Sequence, residues 1–186
     1  MQGMLAPGLL VATPGLRDPN FVRSVVLLVS HSEEGALGFI VNRPTDVRVS
    51  QVLSNLGLGR GVGEDSIVLE GGPVRREAGW IVYAPQEGSD PDPEALAVSD
   101  KLHVTASRRT LEAIGRGLGP HRYHLVLGCA GWGPGQLEGE IGAGVWVPTD
   151  LNETLTLDVP LEDRWGGALA KMGIHPAFIS STVNKA

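Results

Sequence analysis

Cysteine is nearly absent. Cys129 is the single one in 186 residues, so no disulfide can form within the chain, which removes the disulfide-stapled class and fits a reducing cytosol. Long hydrophobic runs are missing too. The longest unbroken one, Val25–Val29, is far below the roughly 18 residues that span a bilayer, so no transmembrane helix is expected. The opening Met1-Gln2-Gly3-Met4-Leu5-Ala6-Pro7 lacks a basic stretch, and Gly8–Ala12 is short for the core of a signal peptide; no export and a cytoplasmic location are expected. Without a secretion signal, the match of Asn152-Glu153-Thr154 to a glycosylation sequon carries no weight. Basic residues are the minority, 15 Lys+Arg against 21 Asp+Glu for a net charge of −6. Affinity for DNA comes largely from Lys and Arg neutralising phosphates. Arg75-Arg76 and Arg108-Arg109 are the only adjacent basic pairs, so direct binding to nucleic acid is disfavoured. Arg outnumbers Lys by 12 to 3, a bias that the abundance of Ala, Gly and Val ascribes to genome composition.

Apolar residues make up 42% of the chain and charged residues 19%, the balance of an ordinary globular protein. Its length allows one well-buried core, and neither a repeat nor a linker divides it, so residues 1–186 are expected to form one domain. Glycine is the excess, 26 residues with 13 prolines beside them, and the chain must turn often.

Strand signals dominate the first half. Ser24–His31 is a β-branched and leucine run without alternation, as in a strand buried on both faces, and Ala36–Val41 returns from it across a hairpin at Gly35. Asn42-Arg43-Pro44 stops that strand. Ser50 is expected to cap a short helix carrying Val52, Leu53 and Leu56 and ending at Gly57. Gly57–Gly63 fails the phosphate-loop spacing and suggests a mobile surface loop. Strands are expected at Ser66–Glu70, Gly79–Ala84 and Leu102–Thr105, with the acidic, proline-bearing segment Gln86–Glu94 as the best candidate for disorder. Ser107 is placed to cap a helix bearing Leu111, Ile114 and Leu118. His124–Gly128 reads as a strand, Gly128–Gly135 as a glycine-rich turn into a short helix around Gln136–Ile141, and Gly144–Val147 as a strand. Thr154–Val159 alternates like a strand, and Pro160 opens a helix with Trp165, Ala168, Leu169 and Met172 on one stripe facing the core. This order of elements predicts an α+β fold on a largely antiparallel or mixed sheet. Val25–Val29, Leu37–Val41 and Leu125–Leu127 are expected to be strands of one buried sheet.

Few residues offer chemistry. On a strand, His121 and His124 point to opposite faces and cannot share a metal. His31, beside Glu33 and Glu34, has no second ligand pair, so neither a dedicated metal site nor a cofactor is expected. Cys129 sits where a strand meets glycines, a position that can expose a nucleophile. The residue two before it is Leu127, which breaks the nucleophile-elbow pattern, and a sheltered thiol is the expectation. Gly128–Gly135 could present free backbone N–H groups to an anion, with Trp132 as an aromatic wall and Gln136 as a directional amide. Alternatively its glycines only permit a sharp reversal, with Trp132 buried as core.

Several segments together carry a resemblance. They are Pro14-Gly-Leu-Arg-Asp-Pro-Asn-Phe-Val-Arg-Ser-Val-Val26, His31, Gly35-Ala-Leu-Gly-Phe-Ile-Val-Asn-Arg-Pro44, Gly71-Gly-Pro73, Gly128–Glu140, Asp150-Leu-Asn152 and Asp163-Arg-Trp165. In combination they resemble the YqgE/AlgH family of bacterial proteins across almost the whole chain. Cys129 is a departure, standing where family members can carry Tyr, and Gly57–Glu64 is a variable stretch. The resemblance implies a single α+β domain whose bent, bifurcated sheet folds toward a pseudo-barrel with helices packed around it. It also brings the label of transcriptional regulator, but no catalytic or cofactor residues to transfer. The resulting expectation is a non-enzymatic binding or regulatory protein that recognises a small molecule or another protein without touching DNA or a membrane. Its candidate ligand-binding residues are His31, Asn42, Arg43, Gly71, Gly72, Trp132 and Gln136. The alternative is an enzyme that uses Cys129 as nucleophile or a His/Glu acid–base pair on a small substrate.

Overall fold

The computed structural model describes residues 4–61 and 65–175. In chain order the elements are β1 (Gly8–Ala12), β2 (Val25–Ser32), β3 (Gly35–Ile40), β4 (Pro44–Arg48), α1 (Val49–Asn55), β5 (Ile67–Glu70), β6 (Val74–Tyr83), β7 (Leu96–Ser99), β8 (Leu102–Thr105), α2 (Arg108–Gly115), β9 (Tyr123–Trp132), α3 (Gln136–Gly142), β10 (Trp146–Thr149), α4 (Glu153–Leu157) and α5 (Leu161–Lys171). The strands join in one sheet ordered β10-β1-β2-β3-β9-β6-β8-β7, which does not close, and β4 and β5 branch off against β9. Every pairing is antiparallel except β5 with β9. The fold is α+β, and of the three runs expected to share a buried sheet β2 and β9 contain theirs, while β3 contains all of Leu37–Val41 but its last residue.

The centre of the sheet is covered on both faces, which is why β1 and β2 read as continuous apolar runs. One face sets Leu9, Val11, Val25, Leu27 and Phe39 against Leu155 of α4 and Ala168 and Leu169 of α5. The other sets Leu10, Ala12, Val26, Leu28 and Ile40 against Leu137 of α3, with Phe21 packed beside them. A third cluster lies between α1, α2 and the outer strands, through Leu53, Ile81, Ile114 and Leu125. Leu10, Leu27 and Leu28 are wholly inaccessible to solvent. Burial of each contributes roughly 1.5–3 kcal/mol, and Leu27→Ala would cost about 2–5 kcal/mol.

Several expectations are corrected. Thr154–Val159 is mostly α4. Asn152 caps it by accepting the Leu155 N–H at 2.9 Å, and Leu155 and Val159, four residues apart, serve a helical face as well as an alternating one. At α1 the cap is Arg48; Ser50 lies inside the helix and hydrogen-bonds Asp65. Strand β9 runs on through Gly128, Cys129, Ala130 and Gly131 to Trp132, so the glycine-rich turn shrinks to residues 133–135. Gly57–Gly61 is anchored, the Gly61 N–H donating to the Gly115 carbonyl, while Val62–Glu64 lie outside the described residues. Gln86–Glu94 is ordered around Asp92, which accepts the hydroxyls of Thr105 and Thr110 at 2.8 and 2.7 Å. Leu118 lies past the end of α2 and is exposed. Three strands, β1, β4 and β7, were not anticipated.

Candidate functional site

The candidate residues fall in three places. Gly71 and Gly72 form a crossing. Between β5 and β6 the chain passes from one side of β9 to the other, because Glu70 pairs with Leu127 on one side and Val74 with Cys129 on the opposite side. A Cβ on Gly71 would lie 2.3 Å from the Gly128 carbonyl oxygen, and one on Gly72 would lie 2.2 Å from that of Cys129. Only bare backbone fits there. These two glycines build the fork of the sheet and have no space to spare for a ligand.

His31 and Trp132 lie beneath α3, whose first residue is Gln136. His31 pairs with Ala36 across β2–β3, and Ala36 pairs with Trp132 across β3–β9, so the three share one row and one face of the sheet. From α3, Glu138 reaches Nε2 of His31 at 2.5 Å, and the histidine lowers the pKa of that carboxyl. Nδ1 of His31 accepts the Leu5 N–H at 3.1 Å, which leaves Nε2 as the donor to Glu138. The acid partner of His31 is thus 107 residues away rather than at Glu33 or Glu34. Trp132 is buried, stacked near Phe21 and edge-on to Trp146. Glu140 accepts both indole N–H groups, from Trp132 at 3.3 Å and Trp146 at 3.1 Å, and also the Gln136 amide at 3.1 Å. Gln136 in turn accepts the Gly133 N–H. This network satisfies both indoles and opens to solvent at Gln136. It fastens α3 to the sheet, and the expected open aromatic wall is a core contact instead.

Cys129 is buried, and burial pushes its thiol pKa up, the reverse of an activated nucleophile. His124 is half-buried; desolvation and the Arg164 charge beside it lower its pKa to about 4. Among the described residues no group of three or more His, Cys, Asp or Glu is placed to hold a metal ion. No helix there is long and apolar enough to cross a membrane.

Asn42 and Arg43 lie apart from these, at the end of β3, where they line an open cleft of about 340 Å³ with Val22, Arg23, Pro44, Leu161, Glu162 and Trp165. Each wall follows from a local contact. The Asn42 amide donates to the Arg23 carbonyl and accepts the Val25 N–H, both at 2.9 Å. The Arg43 guanidinium donates to the carbonyls of Asn20 and Val22. Together they pin the loop before β2 so that Arg23 adopts φ 55°, a left-handed conformation costing about 1–2 kcal/mol for a residue with a Cβ. Such strain persists only where neighbours enforce it. The result is that the exposed Arg23 guanidinium lies 5.7 Å from the centre of the Trp165 ring. Trp165, half-buried rather than fully enclosed, is held by its indole N–H on the Ala12 carbonyl at 2.8 Å. No carboxylate pairs with Arg23 or Arg43 among the described residues. Arg23 and Trp165 were missing from the candidate residues, although both lie within the segments that carried the resemblance. Two arginines 20 positions apart and a tryptophan near the C-terminus show no common spacing, and only the tertiary fold brings them together.

The molecule is thus an α+β protein built on an open, forked, mainly antiparallel sheet, with a basic, aromatic cleft at one corner. A model of the AlgH-like family matches residues 9–177, and the chain belongs to that family. It is 46% identical over 179 residues to a UPF0301 protein of Anaeromyxobacter sp. (strain K), covering 93% of this chain and 90% of the relative. Identity to a UPF0301 protein of Stenotrophomonas maltophilia (strain K279a) is 41% over 172 residues, with 91% and 90% covered. The solution structure of the AlgH protein from Pseudomonas aeruginosa superposes with a TM-score of 0.76 at 30% identity, covering 97% of each chain. A crystal structure of a protein from Corynebacterium diphtheriae gives 0.73 at 27% identity, over 89% of this chain and 86% of that one. None of these names specifies an activity.

Proposed function

We propose that the protein works by binding rather than catalysis, as a binding or regulatory module whose ligand site is the cleft of Arg23, Asn42, Arg43 and Trp165. One observation carries this reading. Asn42 holds Arg23 in a strained backbone conformation that sets an unpaired guanidinium over an indole at the mouth of the cleft. Backbone strain costs stability, and a ligand contact is the role that retains it. The alternative of a thiol or a His/Glu enzyme is disfavoured by the burial of Cys129 and by the engagement of both His31 nitrogens. The net charge of −6 disfavours direct contact with DNA and favours an indirect form of any regulatory action.

A thermal-shift screen of small metabolites tests the reading. A ligand present at 100 Kd stabilises the native state by about 2.7 kcal/mol. A hit is expected, and Asn42→Ala, by freeing Arg23, should abolish its shift. Complete absence of hits, or hits that Asn42→Ala leaves untouched, would remove the cleft from consideration.

A further inference from the structure

Building on that reading, we infer that the cleft takes a small ligand in which an anionic oxygen pair, a carboxylate or a phosphate monoester, is joined to a flat ring. The charge follows from the donors. A guanidinium carries five N–H groups in a fork matched to carboxylate and phosphate oxygens. The Arg23 side chain makes no hydrogen bond among the described residues, and Arg43 spends N–H groups on two carbonyls only, so both of these cleft-lining arginines keep donors to spare. The ring follows from the walls, which are the Trp165 indole, Pro44 and the side chains of Val22 and Leu161. An anion that draws Arg23 off the indole uncovers that face for stacking.

The size and sign of the ligand are bounded as well. A volume of about 340 Å³ sits at the small end of the range for metabolite pockets. Glu162, exposed on the rim, repels a second charged group and accepts a hydroxyl or amine, which disfavours polyphosphates and nucleic-acid strands. The larger groove between α1 and α2, about 410 Å³ and lined by Leu56, Leu111 and Leu127, lacks this signature; Arg108 on its rim is already paired with Glu112.

The indole N–H of Trp165 donates to the Ala12 carbonyl and gives a direct reporter. In ¹H–¹⁵N correlation spectra it is identified as the indole signal lost in Trp165→Phe. Phenyl phosphate and benzoate are titrated into the wild type beside inorganic phosphate and benzyl alcohol. Both ring-bearing anions are expected to move the Trp165 signal, with phosphate alone and benzyl alcohol each binding at least about tenfold more weakly. Arg23→Gln, checked for a dispersed, folded spectrum, should weaken phenyl phosphate about tenfold, and Arg23→Lys should fall between the two because it keeps the charge and loses the fork. Equal binding of inorganic and phenyl phosphate would overturn the ring. Equal binding of benzyl alcohol would overturn the anion. Failure of every probe to move the signal, or unchanged affinity in Arg23→Gln, would overturn the ligand class altogether. A metabolite whose thermal shift is lost in Asn42→Ala would still support the cleft as a binding site in each of these cases.

Discussion

The Arg164 guanidinium donates to Nε2 of His124 at 2.9 Å, so the imidazole is neutral, with its proton on Nδ1. Arg164 is buried and also donates to the carbonyls of Val159, Val41 and Thr156. It thereby joins α5, the segment between α4 and α5, and the end of β3, directly behind Asn42. Burial lowers its pKa to about 10, with Asp158 acting in the opposite sense, and the group stays charged at neutral pH. A positive charge enclosed with a histidine is a pH-sensitive arrangement, because protonating the ring would place two cations side by side.

Stability is therefore expected to fall as the medium is acidified from about pH 6.5 toward 4. The folded His124 titrates near 4 against an ordinary value of 6.5, so across this window the unfolded chain binds a proton that the native state refuses. The difference corresponds to about 3 kcal/mol, fully present above 6.5 and exhausted below 4. Urea titrations at pH 7 and pH 5 should show the loss, and His124→Gln should flatten it. An equal loss in the variant would assign the effect to other groups.

Cys129 should resist modification in the folded protein. Its thiol is buried and its pKa raised by that burial, so little thiolate forms near neutrality. Reaction with a disulfide reagent is expected to be slow in buffer and fast in denaturant. Rapid single-site reaction in buffer, rising with pH well below about 8.5, would restore the thiol as a candidate nucleophile.

What could be read from the chain depended on how local its cause was. Ser107 caps α2 through the Arg109 N–H two residues on, and Val25–Val29 advertises a doubly buried strand by composition alone. Both are legible without a structure. Strand β4 is not, since Pro44–Arg48 is mostly exposed and owes its conformation to pairing with β5. Strand β1 and the extension of β9 through four residues of Gly and small side chains likewise exist because neighbours supply the ladder. The candidate residues divided in the same way. Asn42 and Arg43 were visible as polar residues ending an apolar strand, whereas Arg23 acquires its position only through the contacts those two make with its loop. For Trp132 the sequence left a binding wall and a core residue as alternatives, because Glu140, which satisfies its indole, could not be paired with it from spacing alone.

Gly72→Ala should be among the most damaging single changes in the molecule. The added methyl would lie 2.2 Å from the Cys129 carbonyl oxygen at a φ of 151°, where neither backbone can retreat without undoing the fork of the sheet. A loss above about 3 kcal/mol, or failure to accumulate as soluble protein, is expected. Gly139→Ala in α3, where a Cβ meets nothing within 4 Å, provides the contrast. It should be neutral or stabilise by up to about 1 kcal/mol. Similar Tm values for the two variants would mean that the crossing is looser than its distances indicate.

The Glu140 network under α3 makes a prediction that separates architecture from binding. Glu140 accepts two indole N–H groups on one oxygen and the Gln136 amide on the other. Glu140→Ala leaves two largely buried indoles without acceptors, at about 1–3 kcal/mol for each group left unsatisfied. Glu140→Gln preserves an acceptor for the indoles but turns its own NH2 toward that of Gln136, so a smaller loss is expected, recoverable in part by adding Gln136→Glu. Trp132→Ala removes a buried ring between Phe21 and Trp146 and should cost roughly 3–5 kcal/mol. All of these effects should appear as shifts in chemical-denaturation midpoints, with ligand affinity at the Arg23 cleft unchanged in whichever variants still fold. If Glu140→Gln instead kept full stability but lost a ligand-induced thermal shift, the indoles would be contacting that ligand, and the binding site would belong under α3 rather than at the corner beside Asn42.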